Sequence, residues 1–268
     1  MCIDQALARR LERAEGAANA GFVESRARMM PETGAEWIEV AGTYAMFDGP
    51  RSPCTQTFGL GLFAMPTPAE METLERFFRE RGAAVYHEVS PLADKAVLPL
   101  LNERGYRPCE LSNVLILALD AKAPRAAIPE PLTVRVAGKE EMDAWVRTAA
   151  EGWREFVEIA DQLGSMMRVS AARAGFVSFF AEWNGAPIAT GALAVHDGVA
   201  LLAGASTIPE WRQRGAQRAL FGGRLDYAAR AGCDLAMVVA EPGAATQRNA
   251  ERQGFRVAYT RTKWVLGD

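Results

Sequence analysis

The sequence predicts an α/β protein built as two consecutive domains of similar plan. Three observations predict it. Apolar, strand-like runs alternate with amphipathic helical stretches along the chain. A segment rich in Ala and Pro, "DAKAPRAAIPEP" (120–131), has no buried periodicity and reads as a linker. The stretches "VYHEVSPLADKAVLPLLNERGYRPCELSNVLIL" and "AMVVAEPGAATQRNAERQGFRVAYTRTKWVL" share one order: strand, short helix, Glu-Arg, Gly-aromatic, strand. Gly105-Tyr106 and Gly254-Phe255 occupy equivalent points in them. These features divide the chain into a first domain at 1–120, a linker at 121–131 and a second domain at 132–268.

Each element has its own signal. Residues 6–30 read as a helix with Leu7, Leu11 and Ala14 on one stripe. "EWIEVAGTYAMFDG" and "TQTFGLGLFA" read as strands. "TPAEMETLERFFRERG" opens with Thr67 as cap, Pro68 at the first helical position and Glu70 closing a capping box, and Gly82 ends it. "AAVYHEVSP" is a short buried strand, "ADKAVLPLLNERG" a helix that Pro99 must kink or shorten, and "ELSNVLILAL" a closing strand. In the second half "GKEEMDAWVRTAAEGW" is a helix. "FVSFFAEW" and "PIATGALAVH" flank the hairpin signal Asn184-Gly185. His196-Asp197-Gly198 turns the chain into "VALLAGAST". The helix after Gly215 offers Ala216, Leu220, Gly223 and Tyr227 as a buried stripe, with Phe221, Leu225 and Ala228 beside it. A buried strand "DLAMVVAE", a short helix "ATQRNAERQG" and a last strand "FRVAYTRTKWVL" follow.

Composition narrows the function. With 268 residues, 49% hydrophobic and 24% charged, the chain has an ordinary globular make-up. A net charge of −3 gives no general affinity for nucleic acid or an anionic membrane. Cys2, Cys54, Cys109 and Cys233 form no CxxC pair, and only His87 and His196 could join them, so no metal site is expected. Scattered cysteines, a charged N-terminal stretch without a signal-type apolar core and the lack of a spanning segment fit a cytoplasmic protein, monomeric or homodimeric.

The chemistry concentrates in "STIPEWRQRGAQRAL" (206–220). A strand delivers the chain to Thr207 and Ile208, Pro209 stops further ladder pairing, and a helix begins near Gly215. The first amides of a helix lack backbone partners and point outward at the positive end of the dipole. Arg214, Gly215, Ala216, Gln217 and Arg218 can therefore wrap an anion with backbone N–H groups. Gly215 permits unusual dihedrals, and Arg212, Arg214 and Arg218 add charge suited to a pyrophosphate.

Here the sequence resembles the GCN5-related N-acetyltransferases. Arg212-Gln213-Arg214-Gly215-Ala216-Gln217 looks like that family's acyl-CoA loop, and "ATQRNAERQGF" resembles its later helix with Asn before Gly-Phe. The likeness covers roughly 133–266 well and the first half only in the order of elements. It implies two tandem acyl-CoA N-acyltransferase-like domains, each a mixed central sheet flanked by helices, with a degenerate first domain. It implies acetyl-CoA as co-substrate, held by the loop amides and by Ser206, Thr207 and Ile208, with Asn249 near the cofactor arm. The implied reaction is transfer of an acetyl group to a primary amine of a small molecule or peptide. The alternative is a CoA-binding sensor or structural protein without turnover.

Two departures motivate that alternative. Where the family often has an acidic Tyr, four residues before Gly-Phe, this chain has Ala250, and "VALLAGAST" lacks the Glu that many members use as base. Proton removal could be water-mediated or fall to Glu182, His196, Glu241 or Tyr259, among which the sequence does not choose. His87 and His196 are also ordinary structural or turn residues, and Trp153, Phe156, Trp183 and Trp211 could line a cleft or simply pack. Gln217 replaces the final small residue of the loop pattern, yet its amide survives. "FGLGLFA" fits a dinucleotide fingerprint by spacing, but Met65-Pro66-Thr67-Pro68 follows instead of a helix, and it reads as the counterpart of the "LAGAST" strand. In the first half, Glu70 and Glu72 at a helix start would repel a pyrophosphate.

Overall fold

The computed structural model describes residues 2–120, 128–155 and 160–267, without the side chains of 160–162. Most of the expected linker, 121–127, and Phe156 lie outside the described residues. The chain forms two compact units. Unit 1 holds Met1–Leu115, Val239–Gln247 and Val257–Asp268; unit 2 holds Ile116–Val238 and Arg248–Arg256.

Unit 1 begins with α1 (Gln5–Met29), whose first turn is capped by Asp4 accepting from the Leu7 amide at 2.9 Å. The stretch expected as one strand is a hairpin, β1 (Glu36–Val40) and β2 (Thr43–Phe47). Ala41 and Gly42 both take positive φ, 51° and 76°, and so reverse the chain. β3 (Gln56–Phe58) is much shorter than the expected "TQTFGLGLFA". Gly59 and Gly61 adopt φ of 82° and 67°, which ends the pairing. α2 (Pro68–Arg79) carries the expected capping box, with Met71, Leu74, Phe77 and Phe78 in the core. After β4 (Tyr86–Val89), α3 (Val97–Glu103) starts late enough to place Pro99 in its first turn, so Pro99 shortens the helix without kinking it. β5 (Tyr106–Ala118) runs on into unit 2 for its last residues.

The sheet of unit 1 has the order β1-β2-β3-β4-β11-β5 and is mixed: β3 and β4 are parallel, whereas β1 with β2, β2 with β3 and β4 with β11 are antiparallel. Its strand β11 (Arg256–Leu266) is the last of the chain. It pairs with β4 through Thr262↔Val89 and Trp264↔His87. The final strand, read from sequence as part of 132–268, thus belongs to the first compact unit. The side chains explain this. Trp264 lies in the core of unit 1 with Phe78, Leu101 and Tyr106. Arg261 is 1% exposed and ion-paired to Glu12 and Glu15 of α1.

Unit 2 comprises β6 (Leu132–Val136), α4 (Met142–Glu151), α5 (Ala160–Ala171), β7 (Phe176–Trp183), β8 (Ala186–His196), β9 (Val199–Thr207), α6 (Ala216–Arg230), the first four residues of β10 (Leu235–Ala240) and the last five of α7 (Ala245–Arg252). Its strands lie in the order β10-β9-β8-β7-β6, with β9 and β10 parallel and the rest antiparallel. The turns at Asn184-Gly185 and Asp197-Gly198 have positive φ at both residues, as their hairpins require. β7 is apolar on both faces because helices cover both. Phe180 joins Trp145 of α4 in one cluster, whereas Phe179 meets Tyr227 of α6 edge-on at 5.6 Å. α5 had no counterpart in the sequence reading, since Gly164 and Ser165 interrupt its pattern.

Candidate functional site

β8 and β9 lose register between Thr190 and Ala192. Ala192 faces Ala203 and Thr190 faces Ser206, so β9 carries an extra residue, a bulge around Gly204 at φ 59°. On its other edge β9 pairs with β10 only from Val199 to Leu201. Beyond Leu201 the two parallel strands pair no further, and the rest of β9 presents that edge unpaired by β10. The Ile208 amide donates to Ile188 of β8 at 3.0 Å. By the alternation of an antiparallel ladder, the backbone polar groups of Thr207 face away from β8. Thr207 can thus offer backbone groups to a ligand. Ile208 has spent its N–H on the sheet.

The loop after β9 combines two left-handed residues. Pro209–Trp211 form a 3-10 turn, Gln213 has φ 64°, and Gly215, the N-cap of α6, has φ 84°. No side chain caps this helix. Its first internal hydrogen bond runs from the Ala219 amide to the Gly215 carbonyl at 2.9 Å, which leaves the amides of Ala216, Gln217 and Arg218 without helical partners. The Gln217 side chain, which could have turned back to cap, instead donates to the Thr207 hydroxyl at 2.8 Å. The start of α2 in unit 1 is the opposite case. Glu70 accepts from the Thr67 amide at 2.7 Å and Thr67 accepts from the Glu70 amide, so a carboxylate already fills that N-terminus.

The three loop arginines, read together from sequence, separate in space. Arg212 is held by Glu155 at 2.5 Å and by the Gly152 carbonyl at 3.2 Å. Arg214 lies over Trp211, 4.7 Å from the ring centre, and over Trp183 at 5.6 Å. Arg218 is exposed beside the helix start. Ser206 is buried, its hydroxyl donating to the Ala149 carbonyl at 3.0 Å and meeting Thr190 at 3.1 Å, so only its backbone can serve a ligand. Asn249 on α7 is half-buried, with its side-chain oxygen accepting from Arg252 at 3.2 Å.

Of the proton-transfer candidates, Glu182 and His196 belong to unit 2, and Glu241 and Tyr259 to unit 1. Glu182 is buried and accepts from Arg135 at 2.9 Å, which commits its carboxylate to an ion pair. His196 pairs with Val199 at the start of β9, the end opposite Thr207, and eight residues of strand at about 3.3 Å each separate them by roughly 26 Å. Tyr259 belongs to unit 1, where its buried hydroxyl donates to Glu12 at 2.8 Å. Burial there, with the Glu12 charge beside it, pushes the Tyr259 phenol far above its ordinary value. Glu241 is exposed at the end of β10 and lines an open depression of unit 1 with Cys109, Glu110 and Thr262. Ala250, where an acidic Tyr would stand, is fully buried. His87 bridges Thr57 at 2.7 Å and Tyr106 at 3.0 Å inside unit 1, and burial drives its pKa down to about 3. It is a neutral core residue. Among the described residues no three His, Cys, Asp or Glu side chains come together to hold a metal, and no helix is long and apolar enough to cross a membrane.

Sequence reasoning missed one residue at this site. Arg224, on α6, is 1% exposed and donates to the Ala192 carbonyl at 3.2 Å and the Ala203 carbonyl at 3.4 Å. Tyr227, expected in the buried stripe, is 37% exposed. Arg224 is buried against β8 and β9, whereas Tyr227 lies at the helix margin and meets the sheet only edge-on at Phe179. The cue in the sequence was Gly191, where an added Cβ would lie 3.2 Å from the guanidinium carbon.

Residues 141–255 match the family model described as the Acetyltransferase (GNAT) family. Among solved structures, the chain is similar to a GCN5-related N-acetyltransferase from Kribbella flavida, with TM-score 0.65 and 18% identity over 93% of this chain and 96% of that one. It is similar also to a tandem GNAT protein from the clavulanic acid biosynthesis pathway, with TM-score 0.60 and 14% identity over 84% and 79%. A GCN5-related N-acetyltransferase from Sphaerobacter thermophilus gives TM-score 0.55 and 16% identity over 78% and 71%. At these identities the structural likeness shows the fold alone, mixed sheet flanked by helices, over most of the chain. No curated protein matches the sequence. Residues 141–255 thus carry a GNAT acetyltransferase domain by their match to that family model.

Proposed function

We propose that the domain carrying β9 and α6 is an N-acetyltransferase that moves an acetyl group from acetyl-CoA to a primary amine of a small molecule or peptide. The observation that carries this reading is the uncapped start of α6 at Gly215, set at the end of a strand whose pairing with β10 stops at Leu201. The amides of Ala216, Gln217 and Arg218 suit a pyrophosphate, with Arg214 and Arg218 supplying charge. Arg212, tied to Glu155, holds the loop to the end of α4 in this reading. The free edge of β9 near Thr207 suits an extended amide-bearing arm, in the manner of an added strand. Acetyl-CoA supplies the activated thioester. The chain supplies position and polarisation, and the amine proton leaves through water.

A second reading, a CoA-binding protein without turnover, draws on Ala250, buried where a proton donor would stand. Release of free thiol from acetyl-CoA, followed across a panel of small amines and peptides, separates the two. Amine-dependent release well above the hydrolytic background supports the transferase. Saturable binding of acetyl-CoA with no amine accelerating release contradicts it.

A further inference from the structure

Arg224 poses a problem that packing does not answer. It is fully buried on α6, with its guanidinium 5.0 Å from the Phe221 ring centre and its hydrogen bonds made to carbonyls: Leu220 from Nε at 3.0 Å, Ala192 and Ala203 from Nη1 at 3.2 and 3.4 Å. No carboxylate among the described residues offsets its charge. Burial lowers its pKa to about 10 with no opposing charge to restore it, and it stays cationic at neutral pH. A lone buried charge costs several kcal/mol, and an apolar side chain of similar volume would fill the space at no such cost.

Its position suggests what the charge serves. Ala192 and Ala203 are register partners at the edge of the bulge. Gly191 leaves room for the guanidinium, and Gly204 turns the strand just beyond it. Ala203 also falls within the stretch of β9 that β10 no longer pairs. A guanidinium on the Ala203 carbonyl polarises the Ala203–Gly204 peptide and strengthens its N–H as a donor.

Aminolysis of a thioester needs such a field. The amine nitrogen bonds to the carbonyl carbon, and the C=O pair moves onto oxygen. That pair then re-forms C=O as the C–S bond breaks with its electron pair on sulfur, and the amine proton passes to water. Negative charge appears first on oxygen, then on the thiolate, and Ala250 can protonate neither. We propose that Arg224 is an electrostatic positioning residue: through the Ala203–Gly204 peptide, it favours the negative charge that develops on a thioester cleaved along β9. The inference rests on the acyl-CoA reading given above.

The test titrates the thiol of bound CoA by its thiolate absorbance, in the wild type, Arg224→Met and Arg224→Lys. In the wild type the bound thiol should titrate about one pH unit below free CoA. Arg224→Met should lose that depression and about 10- to 100-fold in kcat, with CoA affinity within about threefold of wild type. Arg224→Lys should recover most of the depression. Arg224→Met should melt no lower than wild type, because it removes an uncompensated charge. A wild-type bound thiol that titrates like free CoA overturns the proposal, whatever the variants do, and so does a depression unchanged in Arg224→Met. Failure of CoA to bind the wild type overturns the acyl-CoA reading, and this inference with it.

Discussion

The side-chain amide of Gln217 donates to the hydroxyl of Thr207 at 2.8 Å, joining the first turn of α6 to the last residue of β9. This bond fixes the helix start against the strand end while sparing the helix amides. Replacement of Gln217 by Ala leaves those amides intact but frees the loop. Global stability should fall by about 1 kcal/mol, the net worth of one hydrogen bond. Acetyl-CoA affinity, read by calorimetry, should fall about three- to tenfold through lost preorganisation.

Gln213 holds a left-handed φ of 64° without being glycine. A straight side chain tolerates that region at modest cost, a β-branched one does not. Gln213→Gly should be neutral or stabilising by up to about 1 kcal/mol, and Gln213→Val destabilising by about 1–3 kcal/mol. Urea unfolding measures both.

Adjacent glycines on α6 should respond with opposite signs. A Cβ on Gly222 meets nothing within 4 Å, whereas one on Gly223 would lie 2.5 Å from the Val134 Cγ1 of β6. Gly222→Ala should stabilise by about 0.5–1 kcal/mol through helix propensity. Gly223→Ala should destabilise by about 1–3 kcal/mol through overpacking. Equal effects at the two positions in chemical denaturation would contradict the described seating of α6 on β6.

Glu12 is fully buried in unit 1 among Tyr259, Arg261 and Glu15, and burial raises its pKa to about 7 against the pull of Arg261. Between the ordinary carboxylate value and about 7, the folded protein holds a proton that the unfolded chain has released. Stability from this group is therefore full below the unfolded pKa and is lost as pH rises through the folded one. Between about pH 5 and pH 7.5 the wild type should lose roughly 2–3 kcal/mol more than Glu12→Gln. His87 slopes the other way, its folded pKa lying far below its unfolded one, but it is common to both proteins and cancels in the comparison. Parallel pH profiles of the two proteins would contradict the assignment.

Local signals were legible where local physics decides. The Thr67–Glu70 capping box, the Asn184-Gly185 hairpin, and the Pro209 stop before a glycine-opened helix all follow from neighbours in sequence. Features set by distant partners were not legible. The strand Arg256–Leu266 looks like a continuation of the second half, yet its unit is decided by Arg261 meeting Glu12 and Glu15 of α1, far away in the chain. Three arginines on one loop read as a single anion clamp, but Glu155 and the two tryptophans divide them. Arg224 was not singled out, because nothing in its own helix announces the carbonyls of Ala192 and Ala203. The extra residue in β9 left only the trace of a glycine, Gly204, inside an apolar strand.

The most direct measurement is a thermal-shift titration with acetyl-CoA, CoA and ATP on the wild type, Gly215→Asn and Gly215→Glu. Asn tolerates the left-handed backbone at Gly215 and adds no charge, so it controls for strain. A ligand that binds only the folded state must raise the melting temperature. The account predicts a clear rise with acetyl-CoA and CoA but not ATP, retained in Gly215→Asn and abolished in Gly215→Glu, whose carboxylate would occupy the helix start. No rise for the wild type at millimolar acetyl-CoA, or an undiminished rise in Gly215→Glu, would contradict it.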